Sequence, residues 1–264
     1  MEEGGSRVER KKGWREKVGK VALVVVSFLP LVVAFAVPDF RIATTCAFGA
    51  SVFDFALDFY RLKTGRTKVF PKVLNAVFLS LFGILTVLMW ADTKRDTVYI
   101  VWDGFIIMGT VTFCITVMTL AGHPFVKDFM VDSFDDACQL ESPLVLHSMR
   151  FMNWAWTLMF FMMAAVYLVG AVTLTVGSPG EQFQLAFCNP AYLTFVFLIA
   201  GFGLNAYYPK RFKDPAFRSK LLRKYDKEME AWCTKYPEQE WSKLYFEGKA
   251  QANEERGDDD DALH

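Results

Sequence analysis

The sequence predicts an all-α fold: a polytopic transmembrane helical bundle of about six spans, with a cytosolic amphipathic loop and a helical C-terminal tail. Three observations predict it. Of the 264 residues, 53% are hydrophobic and 16% aromatic, and mean hydropathy is positive. The apolar residues fall in blocks of about 17–25, the length that crosses a hydrocarbon core about 30 Å thick. The charges, 29 basic and 29 acidic, cancel in sum but are segregated into the first twenty positions, the last fifty-five and short links. Such a pattern excludes a soluble globular domain.

The elements follow in order. A basic head, residues 1–20, carries Arg7, Arg10, Lys11, Lys12, Arg15, Lys17 and Lys20. The first block is Val21 to Val37, with Pro30 inside it. Ala34-Phe35-Ala36 leaves open a secretory signal with a small-residue cleavage site, although the apolar run is long for one. The second block is Ile42 to Tyr60, the third Val73 to Trp90, the fourth Val98 to Ala121, the fifth Phe151 to Val176 and the sixth Asn189 to Tyr207. Together they make a transmembrane domain over 21–208. A charged helical tail over 209–252 and an acidic, disordered end over 253–264 complete the chain.

Basic residues in the links set the orientation. The link after the second block has Arg61, Lys63, Arg66, Lys68 and Lys72, and the tail opens with Lys210, Arg211, Lys213, Arg218 and Lys220. The link after the first block has only Arg41, and Gly177–Cys188 has none, although Ala91–Thr97 carries Lys94 and Arg95. Both termini and the even-numbered links are therefore expected in the cytosol. Trp90, Tyr99, Trp102, Tyr192, Tyr207 and Tyr208 lie near block ends, where interfacial aromatics belong. The five cysteines (Cys46, Cys114, Cys138, Cys188 and Cys233) have no CxxC spacing and read as packing residues.

The long link from Ala121 to Trp156 places Phe125, Phe129, Met130 and Phe134 at helical spacing, with Lys127, Asp128, Asp132, Asp135 and Asp136 mostly opposite. An amphipathic helix is expected, lying on the membrane surface or packed under the bundle. The same link carries Gly122, Pro124, Phe125 and Phe129, then Ser142-Pro143-Leu144, then Asn153 and Trp154. The first block contains Phe28-Leu29-Pro30-Leu31-Val32-Val33. In these motifs, and in its basic second link, the chain resembles uncharacterised bacterial-type integral membrane proteins similar to the intracellular septation protein A family. The resemblance spans residues 21–176. His123 stands where those proteins usually have Arg, Val126-Lys127-Asp128 replaces a Thr-Leu-Gln, and the charged tail is extra. What the resemblance implies is a small multi-span bundle tied to envelope maintenance and division, not to a catalysed reaction.

Candidate chemistry rests on polar residues inside apolar blocks. Ser51 to Lys63 reads SVFDFALDFYRLK. A carboxylate at a span centre costs roughly 2.5–3.5 kcal/mol on insertion scales. Asp58 is expected to be a solvated helix end paired with Arg61. Asp54 lies about 9 Å inside the end of the block at 1.5 Å per residue, and must face protein or water. Asn75, His123, Asn153 and Asn205 fall at similar depth and could form a polar layer with Asp54: a proton or small-solute site, or interhelical hydrogen bonds that set packing. Asp103 lies in the opposite half. The inner-loop acids Asp128, Asp132, Asp135 and Asp136 read as a solvated face. The sequence lacks HExxH, GxSxG and P-loop motifs. No catalytic, cofactor-binding or metal residue and no nucleic-acid partner is expected.

In the tail, Phe217, Leu221, Leu222, Tyr225, Met229 and Trp232 recur at spacings of three to five among Arg218, Lys220, Arg223, Lys224 and Lys227. A surface helix binding membrane lipid or a cytosolic protein partner is expected. The leading expectation is a non-enzymatic membrane protein that organises or maintains a membrane. The alternative is a small transporter or channel using Asp54 and Asp103.

Overall fold

A computed structural model describes residues 26–37, 39–91, 96–132, 134, 136–175, 190–239 and 241–247. The chain is all-α, and every regular element among these residues is helical. In order they are α1 (Leu29–Ala36), α2 (Phe40–Lys63), α3 (Val73–Ala91), α4 (Asp96–Leu120), α5 (Phe125–Val131), α6 (Ala137–Leu140), α7 (Pro143–Thr175) and α8 (Pro190–Tyr207). A 3-10 turn (Tyr208–Lys213), α9 (Pro215–Lys224) and α10 (Asp226–Lys235) follow, and 241–247 is helical. The basic head, residues 21–25 of the first block, most of the link after α3, Asp135, the link over 177–188 and the acidic end lie outside the described residues.

Two compact units emerge, residues 1–133 with 151–205, and residues 134–150 with 206–264. The first holds the long apolar helices. Among the described residues, four helices are long and apolar enough to cross a membrane: Phe40–Lys63, Val73–Ala91, Trp102–Leu120 and Pro143–Val172. Less than half of each apolar window is buried within the protein. The remainder faces outward: Phe53 and Tyr60 on α2, Val87 and Trp90 on α3, Phe113 on α4, Phe161 on α7 and Ile199 on α8 are each more than half exposed. An apolar belt of this extent suits a lipid solvent and not water. The protein is therefore an integral membrane protein. Its fifth block starts earlier than expected: α7 begins at Pro143, so the Ser142-Pro143 motif is a helix start rather than part of a loop.

Local chemistry explains how the helices begin and end. Asp39 caps α2 by accepting from the Ile42 N–H at 3.0 Å. Thr44 and Ser51 donate back to the carbonyls of Phe40 and Ala47, at 3.0 and 2.9 Å, which hides their hydroxyls inside an apolar helix. Pro30, inside the first block, stands at a helix start. A turn at Ser27-Phe28 comes first, and Pro30 occupies the opening turn of α1, where its missing N–H costs nothing. Both α2 and α4 stop at a glycine in the left-handed region, Gly65 (φ 68) and Gly122 (φ 84). The Arg66 N–H then reaches the Arg61 carbonyl (2.8 Å), and the His123 N–H reaches that of Met118 (2.9 Å).

Packing in this unit runs from α1 through α2 to α3, then α4, with α5 against the ends of α3 and α4. Small residues receive aromatic rings. Gly104 on α4 faces the Tyr167 ring of α7, and Gly201 on α8 faces the Trp156 indole of α7. A Cβ at either glycine would overlap the ring. Trp156 also stacks on Phe28 at 5.1 Å and donates its Nε1–H to Asn205 Oδ1 at 3.1 Å.

The second unit has its own small core. Leu144, Leu221, Met229, Trp232, Cys233 and Tyr245 are buried together, with Phe212, Phe217, Leu222, Tyr225 and Tyr236 around them. The tail is thus not one continuous amphipathic helix. It breaks at Tyr225, and α9 and α10 turn their apolar faces inward to a shared core. Trp232 Nε1–H donates to the Cys138 carbonyl at 3.0 Å, and Glu141 accepts from Lys235 Nζ (2.7 Å) and Tyr236 O–H (2.8 Å). Those two bonds hold the Glu141 carboxyl below its ordinary value, and Glu141 in turn holds the Lys235 ammonium above its own.

Candidate functional site: a buried charge cluster at the α2–α3 turn

The end of α2, the link over 64–72, the start of α3 and α5 meet at one end of the first unit. The two acids of SVFDFALDFYRLK face this junction together, four residues apart on one helix face. Asp58 is its hub. It is 3% exposed, so the expected solvated helix end is corrected: α3 and the link cover it. Asn75 Nδ2 donates to its Oδ2 at 2.7 Å, and Lys72 Nζ and Arg61 Nη1 each stand 3.4 Å from its Oδ1. Asn75 belongs to Asp58 and not, as expected, to Asp54. The reason is register: Asn75 sits on the first turn of α3, level with the last turns of α2.

Lys72 is the residue that sequence reasoning missed. It was one of five basic residues in a link, yet it is only 3% exposed. Its ammonium also stands 3.4 Å from Asp132 Oδ2, and 5.1 Å from the centre of the Phe129 ring. One buried cation therefore bridges α2 and the residue that ends α5. Asp132 further accepts from Thr67 Oγ1 at 2.8 Å and from the Lys68 N–H at 2.9 Å. Asp128 accepts from the Val73 N–H at 2.8 Å, and so caps α3 from another helix. The expectation of a solvated acidic face fails for these two acids, because α5 buries Phe125, Val126 and Val131 against the bundle and brings its acids to the link. Burial pushes the Asp128 carboxyl above its ordinary 3.8, against the pull of the Val73 N–H and the nearby charges of Lys72, Lys127 and His123. A cue existed in the spacing: Asp128 and Asp132 are one turn apart, as are two bonds to a single partner surface.

Asp54 is 4% exposed. The Ser27 hydroxyl hydrogen-bonds its carboxylate. Its Oδ2 and the Oδ1 of Asn75 are buried and have no hydrogen-bond partner among the described residues. Four carboxylates, Asp54, Asp58, Asp128 and Asp132, thus share this region with two inward-facing cations, Lys72 and Arg61. Among the described residues, no group of three or more His, Cys, Asp or Glu could hold a metal ion.

The other polar residues do not join this cluster. Asn153 is fully buried on α7 and donates to Thr119 Oγ1 of α4 at 2.6 Å. Asn205 accepts from Trp156. His123 is exposed on the turn after α4. Asp103 lies about 25 Å along α4 from its Leu120 end at 1.5 Å per residue, and its carboxylate accepts from the Gly104 N–H. The expected single polar layer is therefore a cluster and two separate interhelical pairs. The motif residues have structural places: Gly122 ends α4, Pro124 precedes α5, Phe125 is buried edge-on to Phe129 with ring centres 6.4 Å apart, Ser142 and Pro143 are buried at the start of α7, and Trp154 is exposed. Compared with protein-family models, curated proteins and solved structures, the chain matches none.

Proposed function

We propose that the protein is a non-enzymatic, multi-pass integral membrane protein with cytosolic termini, which organises or maintains a membrane through a cytosolic partner surface on its tail. The likeness of its motifs to the intracellular septation protein A family is part of this proposal. The observation that supports it is the tail. Its apolar residues make a core of their own, yet the helical stretch 241–247 leaves Trp241, Leu244 and Phe246 more than 40% exposed beside Lys243 and Glu247. A small folded unit that leaves two aromatic side chains and a leucine exposed amid mixed charge has residues suited to binding a protein. The test is crosslinking in native membranes with wild type and a Trp241→Ala, Leu244→Ala, Phe246→Ala variant. Loss of defined crosslinked partners, with unfolding unchanged, is expected. An unchanged partner set overturns the reading.

A second reading is favoured by one specific observation, the unpartnered and buried Asp54 Oδ2. A transporter or channel using Asp54 and Asp103 would conduct an ion or solute in proteoliposomes, and Asp54→Asn or Asp103→Asn would abolish the flux. Such a flux would replace the organising role as the primary function.

A further inference from the structure

Two orphan oxygens flank Asp58. Asp54 stands one helical turn before it on the same face of α2, and Asn75 reaches it from α3 with its Nδ2 at 2.7 Å. Asp54 Oδ2 and Asn75 Oδ1 are both buried and without a hydrogen-bond partner among the described residues, and their residues are only 4% and 2% exposed. An ionised carboxylate and an amide carbonyl are acceptors only. Neither can satisfy the other, and no neighbouring donor is placed to satisfy both. An ordered water or a bound cation could supply what they lack.

The surrounding charge points the same way. From α2 the site is faced by Asp58 and Arg61, from the link by Lys72, and from α5 by Asp128 and Asp132; the Ser27 hydroxyl comes from the segment before α1. Lys72 is stretched between Asp58 and Asp132 at 3.4 Å each, so neither carboxylate holds it closely. Asp128 is spent on the Val73 N–H. Lys72 and Arg61 already pair with Asp58, and Lys127 and His123 act on Asp128, so Asp54 has no cation in contact with it among the described residues, where an uncompensated buried charge is strongly disfavoured.

We propose that Asp54, Asn75 and Asp58 contribute to a binding site for one small monovalent cation, with the two buried oxygens that lack a partner among the described residues, Asp54 Oδ2 and Asn75 Oδ1, as its ligands. The shared chemistry is a single hard positive charge on oxygen, supplied by Na+ or by a proton. The site needs only three side chains on two adjoining helices. The proposal rests on the same Asp54 oxygen as the transporter reading, but a resident cation requires no transport.

The experiment uses the full chain in lipid nanodiscs. Thermal unfolding is followed while Na+ replaces N-methylglucamine at constant ionic strength, at several pH values. For Na+, the midpoint rises saturably, and the half-saturating concentration climbs about tenfold per pH unit lost, as one-for-one competition requires. For a proton, Na+ has no effect, but the pH dependence of the midpoint differs between wild type and Asp54→Asn. In both cases the response disappears in Asp54→Asn, weakens in Asn75→Ala and persists in Glu141→Gln, whose site is an exposed pair elsewhere. A midpoint indifferent to Na+ with identical pH dependence in wild type and Asp54→Asn overturns the proposal. So does an Na+ response that survives Asp54→Asn. Flux measured on the same preparations separates this outcome from that of the transporter reading.

Discussion

Replacing Lys72 by Met tests whether one buried ammonium joins α5 to the bundle. The substitution keeps the side chain's length and removes the charge. Two carboxylates lose a partner: Asp58 at 3.4 Å and Asp132 at 3.4 Å. Removing one member of a buried ion pair typically costs about 3–5 kcal/mol, because the other is left uncompensated. The lower end applies here, for two reasons. Both contacts are long for a charged hydrogen bond. Each acid also keeps other donors: Asp58 has Asn75 and Arg61, and Asp132 has Thr67 and the Lys68 N–H. The expected loss is about 3 kcal/mol, roughly two orders of magnitude in the folded-to-unfolded ratio. Equilibrium unfolding in mixed micelles reads it out. Asp132→Asn alone should cost less, since an amide can still accept from Thr67. In the double variant the two costs should fall short of additivity by about 1 kcal/mol or more, within the range for contacting residues. A Lys72→Met variant within about 0.5 kcal/mol of wild type, the range of an inert surface change, or strictly additive costs, would refute the bridge.

Other outcomes follow from the same geometry. Gly201→Val should drive a branched side chain into the Trp156 indole and lower stability by about 1–3 kcal/mol, whereas Gly203→Val, with open space around its Cβ, should be far milder; thermal unfolding compares the two. Asn153→Ala breaks the bond to Thr119 (2.6 Å) and should cost about 0.6–1.7 kcal/mol, as interhelical bonds in membranes do; double-mutant unfolding with Thr119→Ala should show the coupling. Asp128 carries a pH signature. Its folded value lies above the ordinary 3.8, so its contribution is fully present below that and is lost as pH rises through the folded value; the stability of wild type relative to Asp128→Asn should fall across that window. Glu141 has the opposite sign: its tie to Lys235 is present above the ordinary 4.5 and loosens as pH falls through the lowered folded value, and added salt should weaken it because both groups are exposed.

The helices were legible because lipid imposes a single requirement on every long segment. Twenty apolar residues in a row have few other fates, so the second, third and fourth blocks fall within a few residues of α2, α3 and α4. Errors came where that requirement lapses. Pro143 to Arg150 carries His147 and Arg150 and so read as loop, but a helix continues regardless of hydropathy once its backbone bonds can propagate. In the tail, spacings of three to five residues matched one helix or two. Only the break at Tyr225 decides between them, and that break comes from the shared core rather than from any local stop signal.

The candidate site failed to show in the sequence for a different reason. Reading depth along one helix ranked Asp54 as the intramembrane acid and dismissed Asp58 as its solvated neighbour. Burial is not a function of depth alone. The link over 64–72 turns back against α2, so the Asp58 face of the helix end is enclosed by protein while Tyr60 and Leu62 stay exposed. Each of the charged residues involved, taken singly, has the ordinary reading of a surface charge: Lys72 in a basic loop, Asp128 and Asp132 on an amphipathic helix. Their common feature is visible only when three segments are brought together, as where Thr67 meets Asp132 across 65 residues of chain. Enclosure then reverses the meaning of each charge. A solvated lysine orients a membrane segment, whereas the same lysine at 3% exposure must be paired, and its pairing fixes where α5 can lie. The link whose basic residues carry the orientation expected from the sequence also supplies, at Lys72, the buried cation that ties α2 to the end of α5.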